Sequence, residues 1–131
     1  LDTWGQNVKV ITRAGTGLVE CVERGELDTP ATRERVARHV APLIEAGADA
    51  IVLGCTHYPF LRDAIAAAAG PEVTLIDTGD AVARQVMRVL HEAHLANPGP
   101  AGEDRFWTTG NTDLAREVTR TLWKDAAWHS P

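Results

Sequence analysis

The chain has 131 residues, 44% of them hydrophobic and 24% charged, an ordinary globular composition with enough length for one real core. Its formal net charge of −5 argues against non-specific binding to nucleic acid or an anionic membrane, while leaving small anionic substrates open. Two cysteines, Cys21 and Cys55, are too few for a disulfide scaffold, and no apolar run reaches the roughly 18 residues of a membrane span.

Residues 7–12, NVKVIT, read as a short strand with Val8, Val10 and Ile11 as its apolar members. RAGTG then turns, and LVECVERG reads as one short helix ended by Gly25. In the following LDTPATRERVARHVAPLIEAG, Thr29 is the expected N-cap. Pro30 takes the first helical position, where its missing N–H costs nothing. Val36, Val40, Leu43 and Ile44 make a helical stripe that Gly47 closes. Pro42 lies inside that stripe and predicts a bend there or a break near Ala41.

ADAIVLG is a short apolar run with β-branched members, suited to a strand buried on both faces of a parallel sheet. PFLRDAIAAAA follows as a helix, with Pro59 in its first turn and Gly70–Pro71 after it. EVTLIDT is another strand. GDAVARQVMRVLHEAHLA is an amphipathic helix carrying Val82, Val86, Val89, Leu90 and Ala93. NPGPAGED is a linker by composition, RFWTTG a last strand, and TDLAREVTRTLW a last helix with Leu114, Val118 and Leu122. The tail KDAAWHSP carries no strong pattern. Strands alternating with helices over short connections predict an α/β fold, with a mainly parallel sheet flanked by helices.

The densest chemistry lies in GCTHYPF, residues 54–60, directly after the apolar run. In open α/β sheets ligands bind beyond the carboxyl ends of the strands, which is where this segment falls. Gly54 would let the backbone turn sharply or approach a ligand closely. Cys55 would sit ahead of a helix start, where the partial positive charge and a nearby imidazolium favour the thiolate. By position alone Cys55 reads more readily as a small buried hydrophobe, His57 as a capping or surface histidine, and Thr56 as a partner for helix-start N–H groups. A metal is not expected: Cys55 and His57 offer two ligands, and no second cluster stands at zinc-like spacing, His39, His91 and His94 falling on predicted helices.

The longer segment ADAIVLGCTHYPFL resembles the second active-site segment of bacterial glutamate racemases, within the aspartate/glutamate racemase superfamily. Aspartate racemases usually carry an acidic residue after Cys-Thr, so His57 and Tyr58 favour the glutamate branch. AGTGLVECVERG is similar to a second family segment and places Glu23 on that pattern's glutamate, although Gly15–Thr16–Gly17–Leu18 departs from the family's Cys-Pro-x-Phe. VTLIDTGDAVARQV and RFWTTGN resemble later segments.

The resemblance implies a pseudo-symmetric two-domain racemase fold and cofactor-independent interconversion of L- and D-glutamate for peptidoglycan synthesis. Two thiols face the α-carbon from opposite sides, and Cys55 matches one of them. His57 and Glu23 would assist Cys55 in proton transfer, and Thr56 and His57 would contact the substrate. Cys21 matches an apolar position of the pattern and reads as a buried cysteine.

The family's N-terminal Asp-Ser-Gly and Cys-Asn-Thr strings do not occur here. With Leu1 in first place, the chain reads as the C-terminal half of such an enzyme, inactive alone. Residues 1–76 would be part of the second α/β domain, carrying one catalytic cysteine. Residues 77–131 would be segments that return to pack on the missing first domain. Their apolar stripes would then be exposed or paired differently, which favours a homo-oligomer. The cellular setting implied is the cytoplasm, without nucleic-acid or membrane partners. Competing readings are an aspartate racemase-like enzyme, a Cys–His thiol hydrolase with Cys55 as nucleophile, and a non-catalytic partner-binding fragment.

Overall fold

The computed structural model describes residues 8–100, 102 and 105–123. In chain order they form α1 (Leu18–Glu23), α2 (Pro30–Glu45), β1 (Ala50–Leu53), a 3₁₀ turn (Tyr58–Leu61), α3 (Arg62–Ala69), β2 (Thr74–Asp77), α4 (Gly79–Glu92) and α5 (Thr112–Leu122). β1 and β2 pair in parallel, with Ile51 opposite Leu75 and Val52 opposite Ile76. α3 makes the crossover between them. The architecture is α/β, a two-stranded parallel sheet with helices packed on it.

α2 shows how directly sequence chemistry sets this scaffold. The Thr29 hydroxyl accepts from the backbone N–H of Thr32 at 3.1 Å, satisfying one of the first turn's otherwise unpaired donors. The Thr32 side chain, almost fully buried, donates to the Glu26 carbonyl at 2.6 Å and so ties the cap to the preceding loop. Replacing Thr29 by alanine is expected to lower the unfolding free energy by about 1 kcal/mol. Urea titration of the two chains side by side measures this; equal midpoints would show that the cap contributes nothing.

Val36 and Val40 bury against Leu18 and Val22 of α1, Leu53 of β1, Leu61, and Ala64, Ile65 and Ala69 of α3. At the far end Gly47, at φ 83°, lets its own N–H and that of Ala48 fold back onto the carbonyls of Ile44 and Leu43.

Of the bend or break expected at Pro42, the break does not occur: Pro42 falls in the last turn of α2, where its missing N–H removes one helical bond while its own carbonyl accepts from Ala46. Three expectations are corrected. The helix expected from Pro59 begins as a 3₁₀ turn and becomes α-helical only at Arg62. β1 is buried on one face only. Ile51, Leu53 and Leu75 point to the helices, whereas Val52 is 59% exposed beside Ile76, because among the described residues no second layer covers that face. The strands expected at residues 7–12 and 105–110 are also absent among the described residues: residues 8–12 and 105–110 belong to no ladder, and Val8, Val10 and Trp107 stand exposed. Residue 7 lies outside the described set. An apolar strand needs a neighbouring edge to satisfy its N–H and C=O groups, and among the described residues neither segment joins the β1–β2 ladder.

The last two helices differ from the first three in having no buried residue. Val82, Val86, Met87 and Val89 of α4 face outward, as does Leu114 of α5. α5 touches the core at its end: Leu122 packs against it, and the Trp123 ring meets Phe60 edge-on with centroids 6.4 Å apart. The linker expected at residues 97–104 is coil where it is described, and the tail 124–131 lies outside the described residues.

Candidate active site

The turn after β1 carries the polar cluster, at the carboxyl edge of the sheet. Tyr58 N–H bonds to the Cys55 carbonyl at 3.1 Å and Phe60 N–H to the His57 carbonyl at 3.1 Å. These i to i+3 bonds curl residues 55–60 tightly enough to bring side chains two apart onto the same side. Cys55 Sγ lies 3.7 Å from His57 Nδ1. The other ring nitrogen, Nε2, is 2.7 Å from Glu23 Oε1 at the end of α1, a contact across 34 residues of chain. Cys55, His57 and Glu23 therefore form one line, sulfur to imidazole to carboxylate. Thr56 is exposed at the crest of the turn between Cys55 and His57. Among the described residues the space where a Gly54 side chain would project is open, so no close approach by them requires glycine there.

Chemistry assigns the protons along this line. A carboxylate only accepts, so the Nε2 proton points to Glu23 and Nδ1 is left facing the sulfur. Glu23 is the main reason the imidazole is held above its ordinary pKa; the bond to Cys55 acts in the same direction and burial opposes both. The Cys55 thiol is lowered, first by the backbone N–H of His57 at the start of the turn, then by the imidazole, with the Tyr58 N–H adding to them and burial opposing. The two shifts act in the same direction, each moving the pair toward thiolate and imidazolium. Solvent reaches the line, the His57 side chain being 30% exposed and that of Glu23 66%. Ionised, the Cys55 sulfur is a base or a nucleophile at a solvent-facing rim.

Cys21 takes no part. It is 2% exposed and its Sγ donates to the Gly17 carbonyl at 3.3 Å, a buried cysteine inside α1. Among the described residues no three His, Cys, Asp or Glu side chains converge as a metal-binding group. No described helix is long and apolar enough to cross a membrane.

Sequence reading missed the way the loop before α1 is held. His39 Nε2 bonds to the Thr16 carbonyl at 2.9 Å, and the tip of Tyr58 lies against Gly15. The closeness of Gly15 and Gly17 was the available signal, and it pointed only to a turn.

Residues 6–86 match the family model described as Asp/Glu/Hydantoin racemase. The chain is 57% identical over 103 residues to a glutamate racemase of Herpetosiphon aurantiacus, covering 79% of this chain and 41% of that protein. It is 47% identical over 123 residues to a glutamate racemase of Pseudomonas entomophila, covering 94% of this chain and 46% of that one. Among solved structures, a glutamate racemase of Bacillus anthracis superposes with a TM-score of 0.80 at 27% identity, over 90% of this chain and 44% of that one. The chain thus spans less than half the length of the curated relatives it matches.

Proposed function

The chain belongs to the Asp/Glu/hydantoin racemase family, and on that premise we propose that it supplies one half of the active site of a glutamate racemase. The observation that carries this reading is the Cys55–His57–Glu23 line at the carboxyl edge of the sheet, all three residues falling within the matched residues 6–86. Cys55 as thiolate takes the α-proton of glutamate; the proton leaves Cα for Sγ, and the electron pair stays on the α-carbon. The carbanion is reprotonated on its opposite face by a second thiol, which becomes the thiolate for the reverse reaction. His57 stabilises the Cys55 thiolate and shuttles its proton through Nδ1, while Glu23 keeps the imidazole oriented and charged. Thr56 and His57 hold the substrate at the crest of the turn. No cofactor enters this chemistry.

Inversion requires donors on both faces, because a lone thiol returns a proton to the side it came from. Cys21 is buried and engaged elsewhere, so the opposing thiol belongs to a polypeptide segment outside this chain. In this reading residues 1–76 form part of the second domain. Residues 77–131 pack on the first domain, and the outward apolar faces of α4 and α5 are the surface they offer it, or offer a second copy in a homo-oligomer. The product, D-glutamate, would serve peptidoglycan and so cell shape, and the enzyme would work in the cytoplasm. An imidazole in the place where aspartate racemases carry an acid favours glutamate over aspartate as substrate.

Incubating the 131-residue chain with L-glutamate in D₂O tests the requirement for two faces. No D-glutamate is expected, whereas a polypeptide carrying both halves should yield D-glutamate deuterated at Cα. Turnover by the chain alone, lost on Cys55→Ser, would show that the second thiol is dispensable.

A further inference from the structure

α1 is six residues long, yet its last residue must present a mostly exposed carboxylate to His57 within hydrogen-bond distance. A short helix tethered at one point can pivot about it. The structure supplies a second tether at the other end. A Cβ placed on Gly15 would lie 2.5 Å from Tyr58 Oη and 2.9 Å from both Tyr58 Cζ and Leu18 Cδ1, well inside van der Waals contact. The phenol thus occupies the notch left by the missing side chain. Gly15 is also the residue whose carbonyl accepts from Leu18 N–H at 3.1 Å, the bond that opens α1. On the opposite flank, Gly17 at φ 82° has the Arg35 guanidinium where its side chain would stand, and His39 holds the Thr16 carbonyl.

Tyr58 follows His57 directly. The Cys-Thr-His-Tyr turn therefore meets the α1 segment twice, phenol against Gly15 before the helix and imidazole against Glu23 at its end, roughly 9 Å of helix apart. We propose that Tyr58, seated in the Gly15 notch, is a positioning residue that sets the placement of α1 and thereby keeps Glu23 on His57. The inference rests on the relay reading of Cys55, His57 and Glu23. It makes the glycine at position 15, where the racemase pattern has a side chain, a requirement of this chain's own packing.

The test is the pH profile of Cys55 alkylation by iodoacetamide, read by mass spectrometry on the full chain, which needs no racemase activity. Among the described residues the titratable groups bearing on Cys55 are His57 and, through it, Glu23. Glu23→Gln removes the carboxylate that holds the imidazole charged. Its profile should move to higher pH, with the rate at pH 7 falling about three- to tenfold.

Gly15→Ala and Tyr58→Ala should each move the profile in the same direction and by a similar factor. Tyr58→Phe, which keeps the ring in the notch, should retain most of the parent rate. Gly15→Ala combined with Glu23→Gln should be no slower than Glu23→Gln alone, since both act through one contact. Tyr58→Ala introduces no overlap, so it carries the test by itself if Gly15→Ala fails to fold. Parent-like profiles for Gly15→Ala and Tyr58→Ala beside a shifted Glu23→Gln would overturn the positioning role alone, as would multiplicative effects in the double variant. An unmoved Glu23→Gln profile would overturn the relay and the inference together.

Discussion

Exchanging Cys55 for serine, in a polypeptide that carries both halves of the site, is expected to lower glutamate racemisation about 10³- to 10⁴-fold. The exchange changes one atom in a half-buried position, so the turn and its i to i+3 bonds survive. What disappears is the acidity. A thiol has an unperturbed pKa of about 8.5, and the His57 N–H and imidazole lower it further here. A serine hydroxyl is far too weak an acid for these neighbours to ionise it at neutral pH. One face of the α-carbon then has no base, and the other thiol alone can only exchange the proton without inverting the centre. The readout is D-glutamate formed from L-glutamate, with thermal unfolding of both proteins as the folding control. A variant racemising within tenfold of the parent, on an unchanged fold, would remove Cys55 from the mechanism.

The second large effect concerns Leu61, at the junction of the 3₁₀ turn and α3. It is 1% exposed and lies in the cluster formed with α1, α2, β1 and α3. Leu61→Ala deletes three buried carbons where several rigid elements meet, so the cavity closes only in part, and the expected loss is about 2–5 kcal/mol. Against a typical domain stability of about 5–15 kcal/mol this is a large share. Denaturant titration should show it as a lower midpoint with little change in slope. A loss below about 1 kcal/mol would mean that the site collapses around the smaller side chain. The substitution should also loosen the turn bearing Cys55, because Leu61 anchors the downstream end of residues 55–60.

α2, β1, α3, β2, α4 and α5 were each legible as local pattern. A cap at Thr29, a stripe at Val36 and Val40 and a closing Gly47 define α2 without reference to anything distant. The segments at residues 7–12 and 105–110 have the same quality of strand pattern and form no strand among the described residues. The difference is that a helix satisfies its own backbone, whereas a strand depends on a neighbour that sequence pattern does not report. For the same reason Val52 could be read as part of an apolar run but not as exposed. Its burial depends on a second layer, and none is present among the described residues.

The candidate site divides along the same line. Cys55 and His57 stand two apart in a turn, so spacing alone made their meeting plausible. Glu23 entered through resemblance, since a glutamate at a helix end is ordinarily a solvated charge. That its carboxylate lies 2.7 Å from His57 Nε2 depends on α1 folding back across 34 residues of chain. The sequence by itself determined where a thiol and an imidazole stand together in one turn and which helices flank them, because thiol, imidazole, cap and stripe are local properties. Only the tertiary structure decided that the carboxylate reaches the imidazole and that a phenol fills the notch at Gly15. Those are contacts between segments, and no local pattern fixes the distance between two segments.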